Sequence, residues 1–223
     1  MKKALLIGCG SKFGLELLTN LLTQGWEIYS ISGSKINLDN SNLHQHIINW
    51  QTVAVTDLEK FLRTCPDLDL VFFNQNSSSL ESKYFGKDYY NTLELWKQEK
   101  TWTQSYFVSC ILPFHIIHSL KDKCHNHTKI AWMLSSYIYS HTNIGTADYI
   151  GNKYQNYLIM KNFSQSFDAC FFGINPDNLN TTNTEDNIEK LISFIINAEN
   201  NLLNGRVIKF NTTEDTNFQI FKT

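Results

Sequence analysis

Short apolar runs of strand length alternate along the chain with segments whose apolar residues recur every three or four positions. This alternation is typical of βαβ units built around a parallel sheet. The apolar runs predict strands at 4–7, 27–31, 47–50, 68–73, 129–134, 169–173 and 206–210, the last of which closes the sheet. The periodic segments predict five helices. The first stops at Gly25, the second opens at Thr56 and the third spans 102–120. The fourth carries Tyr149, and the fifth spans 185–198.

Local signals refine two of these helices. Thr56 and Glu59 form a Thr-x-x-Glu pattern, which predicts a capping box where the second helix opens. Pro113 lies inside the 102–120 segment and predicts a kink, because proline has no backbone N–H to donate. The polar stretch 77–99 is irregular and predicts a surface excursion. Since the chain has no repeat, low-complexity tract or linker, we predict one domain over 1–223.

Charge and composition exclude several classes of function. A net charge of −2 and a pI near 6.4 give no electrostatic footprint for nucleic acid. No apolar run approaches the roughly 18 residues of a membrane span. The five cysteines form no Cys-x-x-Cys, which predicts reduced, packing thiols in a cytoplasmic protein. A lipid anchor on Cys9 is an alternative, but the apolar run before it is too short for a secretory signal, which favours a buried first strand.

A glycine-rich turn, Gly8-Cys9-Gly10-Ser11-Lys12-Phe13-Gly14, joins the first predicted strand to an amphipathic helix. Glycine lets the backbone approach a pyrophosphate closely, and a helix N-terminus offers free N–H groups and the positive end of the helix dipole. Because the turn stands directly between a strand and a helix, it favours nucleotide binding over a plain tight connection.

Tyr149 and Lys153 stand four residues apart on one predicted helix, and Ser136 precedes the tyrosine by thirteen residues. A phenol beside an ammonium on one helix face can supply the proton that carbonyl reduction requires. The lysine charge favours the phenolate, and a serine at the end of a strand can hold the substrate oxygen. A second pair, Tyr157 and Lys161, lacks a hydroxyl residue at the corresponding upstream position, so we interpret it as packing. The histidines show no metal-ligand spacing, and no metal is expected.

In this order, the turn, serine, tyrosine and lysine resemble the short-chain dehydrogenase/reductase family over nearly the whole chain. The family turn reads Gly-x-x-x-Gly-x-Gly; Gly8 and Gly14 fill its outer positions, and Lys12 replaces the middle glycine. Asn74 keeps the first residue of the family's Asn-Asn-Ala-Gly, and Ser109 replaces its catalytic asparagine. The resemblance implies an α/β fold with a Rossmann-like, three-layer, doubly wound parallel sheet.

The resemblance also implies the residues of an active site. The implied catalytic residues are Ser136, Tyr149, Lys153 and Ser109. The turn, the end of the second strand and the resemblance together predict these cofactor-binding residues: Gly8, Gly10, Ser11, Lys12, Phe13, Gly14, Ser34, Lys35, Asn49, Trp50, Asn74, Gln75, Asn76, Tyr149, Lys153 and Pro176. The stretch Ser32-Gly33-Ser34-Lys35 has no acidic residue and offers hydroxyls and a cation, which favours NADP(H) over NAD(H).

By resemblance, the chain is expected to reduce a ketone or aldehyde, or to oxidise a secondary alcohol, with a nicotinamide cofactor. The altered motifs leave an alternative open, a catalytically silent member that binds nucleotide as a sensor or scaffold subunit. Relatives commonly form homodimers or homotetramers through two long helices. The short segment between Lys153 and Pro176 predicts that the second of these helices is truncated here.

Overall fold

The computed structural model describes residues 1–50, 52–75, 103–135, 147–176, 184–210 and 219–221, with the backbone alone at 147–149, 184–187 and 219–221. Within these residues, eight strands form one sheet in the order β3-β2-β1-β4-β5-β6-β7-β8. The strands are β1 Lys3–Ile7, β2 Glu27–Ser32, β3 Leu43–Ile47, β4 Leu70–Phe73, β5 Lys129–Met133, β6 Cys170–Pro176, β7 Val207–Phe210 and β8 Gln219–Phe221. The first seven are parallel, and β8 pairs antiparallel with β7.

Helices cover both faces of the sheet. They are α1 Lys12–Thr23, α2 Val55–Thr64, α3 Leu112–Ser119, α4 Ala147–Ser166, α5 Thr184–Asn197 and α6 Asn200–Leu203. Helices α1 and α5 pack on one face, and α2, α3 and α4 pack on the other. The strand order reverses between β1 and β4, and such a switch point is where open α/β sheets bind ligands. The predicted Rossmann-like, three-layer, doubly wound fold is confirmed.

The first strand and helix agree with their predictions. Strand β1 is buried, and the Cys9 thiol that follows it donates to the Leu6 carbonyl at 3.4 Å. Burial raises the pKa of this thiol to about 12, and a lipid on Cys9 would have to displace it from the core. Helix α1 begins after Ser11, whose hydroxyl accepts from the Gly14 N–H, and it ends before Gly25, which has a φ of +78°.

Several predicted boundaries were wrong. Strand β3 lies at Leu43–Ile47 and not at 47–50, because an exposed edge strand can carry polar residues that hide its pattern. The sheet does not close at 206–210, since β8 adds a short antiparallel strand beyond β7. Helix α2 has Ala54 as its N-cap with no side-chain hydrogen bond, so the capping box is absent. Helix α4 has 20 residues, so it is not truncated.

The predicted break at Pro113 takes the form of a π-helical segment. Residues 103–106 are helical, Phe107–Ile111 form the π-helical segment, and α3 begins at Leu112. Pro113 has no N–H to donate to the carbonyl of Ser109, four residues back, so a regular α-helical hydrogen bond is impossible at this point. Ser109 therefore lies in the irregular turn.

Lys129, the first residue of β5, holds the end of α5. Its side chain is buried, and its Nζ donates to the carbonyls of Ile195 at 2.6 Å, Ile196 at 2.9 Å and Ala198 at 2.7 Å. Burial lowers the pKa of this ammonium. A cation at the C-terminal carbonyls of a helix is favoured by the helix dipole, so Lys129 fastens α5 to the sheet.

Candidate functional site

The glycine turn packs tightly against the end of β4. Gly8 has a φ of +86°, and a Cβ there would lie 2.5 Å from the backbone nitrogen of Gln75. A Cβ at Gly14 would lie 2.7 Å from the Gly8 carbonyl oxygen. The Asn74 Nδ2 donates to that same carbonyl at 3.1 Å and to the Ser11 hydroxyl at 2.9 Å. Gly8 and Gly14 are therefore required for the turn itself, and Asn74 ties the turn to the sheet.

The opposite side of the turn is open. Among the described residues, the one atom within 4 Å of a Cβ built on Gly10 is the Ser34 hydroxyl, at 3.8 Å. The first helical N–H groups, those of Lys12 and Phe13, have no hydrogen-bond partner in the described part of the chain. The Lys12 side chain is exposed and lies 3.9 Å from Glu16 Oε1, so it does not fill the turn. These free donors at a helix N-terminus fit a pyrophosphate.

The segment after β2 lies beside this open side. The Ser32 hydroxyl donates to the Ser34 carbonyl at 2.6 Å, which folds the backbone over so that the Ser34 hydroxyl faces Gly10. Ser34 and Lys35 are both exposed. The structure thus brings Ser34, one of the two residues predicted to favour NADP(H), next to the glycine turn.

Trp50 lies against the same segment. A Cβ on Gly33 would lie 2.6 Å from Trp50 Nε1, so the indole is in direct contact with the glycine backbone. The Gln104 side chain donates to the Trp50 carbonyl at 3.3 Å and links this loop to the helical turn before the π-helical segment. Asn49 is exposed beside it. Trp50 therefore lies against Gly33, in the segment that carries Ser34.

The Lys153 side chain extends from α4 to the carboxyl end of β5 and is buried there. Its side chain is 5% exposed, and its Nζ donates to the Met133 carbonyl at 2.6 Å. Burial lowers the pKa of this amine to about 8, and the nearby Cys110 thiol opposes that shift. Tyr149 is the third residue of α4, one helical turn before Lys153. Ser136, Asn76 and the side chain of Tyr149 lie outside the described residues.

Two buried amide oxygens lie at the same edge of the sheet. Gln75, the second residue after β4, and Asn175, near the end of β6, are 6% and 4% exposed. Gln75 Oε1 and Asn175 Oδ1 have no hydrogen-bond partner among the described residues. Buried acceptors without donors are rare, and a bound molecule can supply the donors. Pro176 ends β6 half-buried beside Asn175, and Ser109 lies buried in the π-helical segment.

Sequence reasoning missed the residues that hold this region in place. Asn152 donates to the Ser105 hydroxyl at 2.8 Å, and Cys110 lies against Asn152. The available signal was the run Asn152-Lys153 followed by Asn156, which places polar residues where an amphipathic helix normally has apolar ones. The Met133 carbonyl that accepts from Lys153 is a backbone atom, and no sequence signal reveals it.

Replacing Lys153 by Met is expected to change how stability depends on pH. Because the folded pKa, about 8, lies below the ordinary 10.5, the unfolded chain binds the proton more tightly between these values. Stability should therefore rise with pH across this window, by on the order of 3 kcal/mol at 1.36 kcal/mol per pH unit. Lys153→Met should remove that rise. Urea unfolding at pH 7.5 and 10 measures it, and an unchanged rise in the variant would show that another group causes it.

Within the described ranges, no helix is long and apolar enough to cross a membrane. Among the same residues, no three or more His, Cys, Asp and Glu side chains are grouped so that they could hold a metal ion. All five cysteines are free, and four of them are buried.

Comparisons with known proteins identify the fold. No family model and no curated protein matches the chain. A short-chain dehydrogenase/reductase from Serratia marcescens superposes with a TM-score of 0.75 at 13% identity, covering 94% of this chain and 95% of that one. A short-chain dehydrogenase family protein from Francisella tularensis gives 0.73 at 12% identity, covering 95% and 97%. An oxidoreductase of this family from Brucella ovis, in complex with a partially ordered NAD, gives 0.71 at 11% identity, covering 94% and 98%. The chain therefore has the fold of the short-chain dehydrogenases/reductases.

Proposed function

We propose that residues 1–223 form one NAD(P)-binding domain of the short-chain dehydrogenase/reductase family. In this proposal, the protein is an NADP(H)-dependent oxidoreductase that reduces a ketone or aldehyde, or oxidises a secondary alcohol. The observation that carries it is the position of Lys153, buried at the carboxyl end of the sheet, bonded to the Met133 carbonyl and one helical turn after Tyr149. A buried lysine with a lowered pKa in a crevice is typical of a functional site.

Tyr149 is the proposed acid in the reducing direction and the base in the oxidising direction. A bound nicotinamide nucleotide would supply or accept the hydride. A free tyrosine has a pKa near 10, so forming the phenolate near pH 7 costs roughly 4 kcal/mol, at 1.36 kcal/mol per pH unit. The Lys153 ammonium one turn away favours the phenolate and offsets part of that cost. Ser136, three residues after β5 in the sequence, would donate to the substrate oxygen and orient the carbonyl.

The nucleotide is proposed to lie along the crevice from the glycine turn to Trp50. The free N–H groups of Lys12 and Phe13 would hold the pyrophosphate, and the open side of Gly10 gives it room. Ser34 and Lys35 would hold a 2′-phosphate, since both are exposed and the Ser34 hydroxyl faces Gly10. The remaining predicted contacts are Gly8, Ser11, Gly14, Asn49, Trp50, Asn74, Gln75, Asn76 and Pro176.

Titration with NADPH and NADH tests the proposal directly. Energy transfer from the five tryptophans to the reduced nicotinamide reports binding, and we expect NADPH to bind at least about tenfold more tightly than NADH. A screen of ketones and aldehydes with NADPH then tests turnover. Equal affinities would remove the NADP(H) preference, and no binding of either nucleotide would remove the proposed function. Binding without any turnover would favour the silent sensor or scaffold subunit.

We also propose that a second copy of the chain covers an apolar surface on α3 and α4. Phe114, Tyr154 and Leu158 on these helices are 42–51% exposed, and Tyr106 and Ile111, in the helical residues just before α3, are 45% and 37% exposed. A groove between the two helices is lined by Phe114, Leu158 and Phe163, among others. Large exposed apolar patches mark interaction sites, and relatives associate through the corresponding helices.

Sedimentation equilibrium tests this association. The wild-type chain should show about twice its mass of 25.9 kDa, and Phe114→Lys with Leu158→Lys should sediment as a single chain. In a symmetric dimer the same surface of each copy faces the other, so the new lysines of the two copies would come together and repel each other. A wild-type protein that remains a single chain at tens of micromolar would contradict the proposal.

A further inference from the structure

The start of α4 is held by buried polar contacts. The Asn152 Nδ2 donates to the Ser105 hydroxyl at 2.8 Å. The Cys110 thiol, in the π-helical segment, lies 3.7 Å from the Asn152 carbonyl and 3.9 Å from its Oδ1. Asn152, Ser105 and Cys110 are 8%, 2% and 1% exposed. Hydrogen bonds sheltered from water in this way constrain geometry strongly, because breaking one leaves buried polar atoms unsatisfied.

From residue 150, where the description of the side chains begins, buried apolar packing does not hold the near half of the helix. Among residues 150–159 of α4, the buried side chains are Asn152, Lys153 and Asn156, all polar. Among the side chains of α4 that the structure describes, the first buried apolar one is Met160, followed by Phe163 in the second half of the helix. The apolar core therefore anchors the far half of α4, and polar contacts place the near half.

The two best defined of these contacts point in different directions. Asn152 bonds to the helical turn before the π-helical segment, whereas Lys153, the next residue, bonds to the Met133 carbonyl on β5. Successive helix residues are about 100° apart around the axis, so these two contacts together resist rotation of the helix. Tyr149, one turn before Lys153, depends on the same rotation for its position.

We infer that Asn152 is a positioning residue, which sets the orientation of the near half of α4 and thereby of Lys153 and Tyr149. This inference rests on the proposed function, because it concerns the same two residues. In this role Asn152 would act through the helix and not on the reacting atoms. Asn152 donates to the Ser105 hydroxyl on the neighbouring helical turn, and the Cys110 thiol also lies against Asn152.

The test compares Asn152→Ala with Gln165→Ala, an exposed residue on the same helix. The first readout needs no activity and follows the Lys153 amine by NMR of a lysine-labelled chain, with Lys153→Met assigning the signal. In Asn152→Ala, the looser helix should admit water to Lys153. Its titration midpoint should then rise by about one pH unit or more, because desolvation is relieved. Gln165→Ala should leave it unmoved, and an unmoved midpoint in Asn152→Ala would overturn the inference.

The second readout is turnover. We expect Asn152→Ala to lower kcat about tenfold while the Kd for NADPH changes less than about twofold, because orientation is lost and binding is kept. The alkaline limb of carbonyl reduction should move to higher pH, since a displaced ammonium favours the phenolate less. A lower kcat with an unmoved limb would overturn the inference. If the wild type binds NADPH but reduces no carbonyl, the proposed function fails, and the NMR midpoint alone decides the role of Asn152.

Ser105→Ala provides an independent check from the other side of the contact. If Asn152 acts through Ser105, the loss of kcat in the double variant should be smaller than the two single losses combined, because both changes break the same Asn152–Ser105 hydrogen bond. If the two losses of kcat combine in full, Asn152 does not act through Ser105, and this part of the inference is wrong.

Discussion

Replacing Tyr149 by Phe should lower kcat by about 10²–10⁴-fold while the protein still binds NADPH. The substitution removes one hydroxyl, the proposed proton donor, and positioned acid–base groups typically contribute this much. Tyr149 is the third residue of α4, and Lys153, one turn later, donates from its Nζ to the Met133 carbonyl. Steady-state reduction of a carbonyl found in the screen gives kcat, and tryptophan energy transfer gives the Kd.

Tyr157→Phe is the matched control for this experiment. Tyr157 and Lys161 repeat the Tyr-x-x-x-Lys spacing on the same helix, but Lys161 donates to the Gly205 carbonyl at 3.0 Å, well away from the crevice. The control should keep kcat within about twofold, since removing a hydroxyl that takes no part in the reaction costs little. If Tyr149→Phe keeps its turnover, or if the two variants lose it equally, the proposed acid–base role is wrong.

Replacing Gly8 by Ala should destabilise the fold by about 2–5 kcal/mol. A non-glycine residue pays roughly 1–2 kcal/mol in the left-handed region, and overpacking typically adds 1–3 kcal/mol. At Gly8 both apply, because φ is +86° and the new Cβ would meet the Gln75 backbone nitrogen at 2.5 Å. Backbone cannot rotate away as a side chain can. Urea unfolding of the apo protein measures the loss.

Gly10→Ala tests whether the turn binds NADPH independently of what the turn contributes to the stability of the fold. The new Cβ would meet only the Ser34 hydroxyl among the described residues, at 3.8 Å, so stability should stay within about 0.5 kcal/mol. The methyl would nevertheless stand on the open side, where the pyrophosphate is proposed to lie, and NADPH affinity should fall at least about tenfold. Equal stability losses at Gly8 and Gly10 would contradict this geometry, and unchanged NADPH binding in Gly10→Ala would place the nucleotide elsewhere.

The interior of the sheet could be predicted from the sequence because burial leaves a simple pattern. Leu70–Phe73 are buried throughout, and a run of four apolar residues between polar segments marks such a strand. Strand β3 was misplaced because His44 and Gln45 on an exposed edge carry no such run. Strand β8 has three residues and is defined mainly by pairing with β7, which no local pattern reveals.

The candidate site divides in the same way. The glycine turn and the Tyr149–Lys153 spacing are local in sequence, so both could be recognised before the fold was known. The contact of Trp50 with Gly33 and the bond of Asn152 to Ser105 join residues 17 and 47 positions apart, and only the folded chain brings them together. The pKa of Lys153 also depends on burial, which a spacing motif does not encode.

Strand β5 links the two helical layers through its ends. At the start of β5, Lys129 donates to the last carbonyls of α5 on one face of the sheet. At its end, the Met133 carbonyl accepts from Lys153 of α4 on the other face. Native proteins open in cooperative units, and elements joined by buried charged hydrogen bonds tend to open together. The last turn of α5 and the first turns of α4 therefore belong to one such unit with β5. Amide hydrogen exchange in these segments would be coupled although they lie on opposite sides of the sheet. A substitution that loosens the end of α5 would therefore also speed exchange around Lys153, the proposed catalytic lysine.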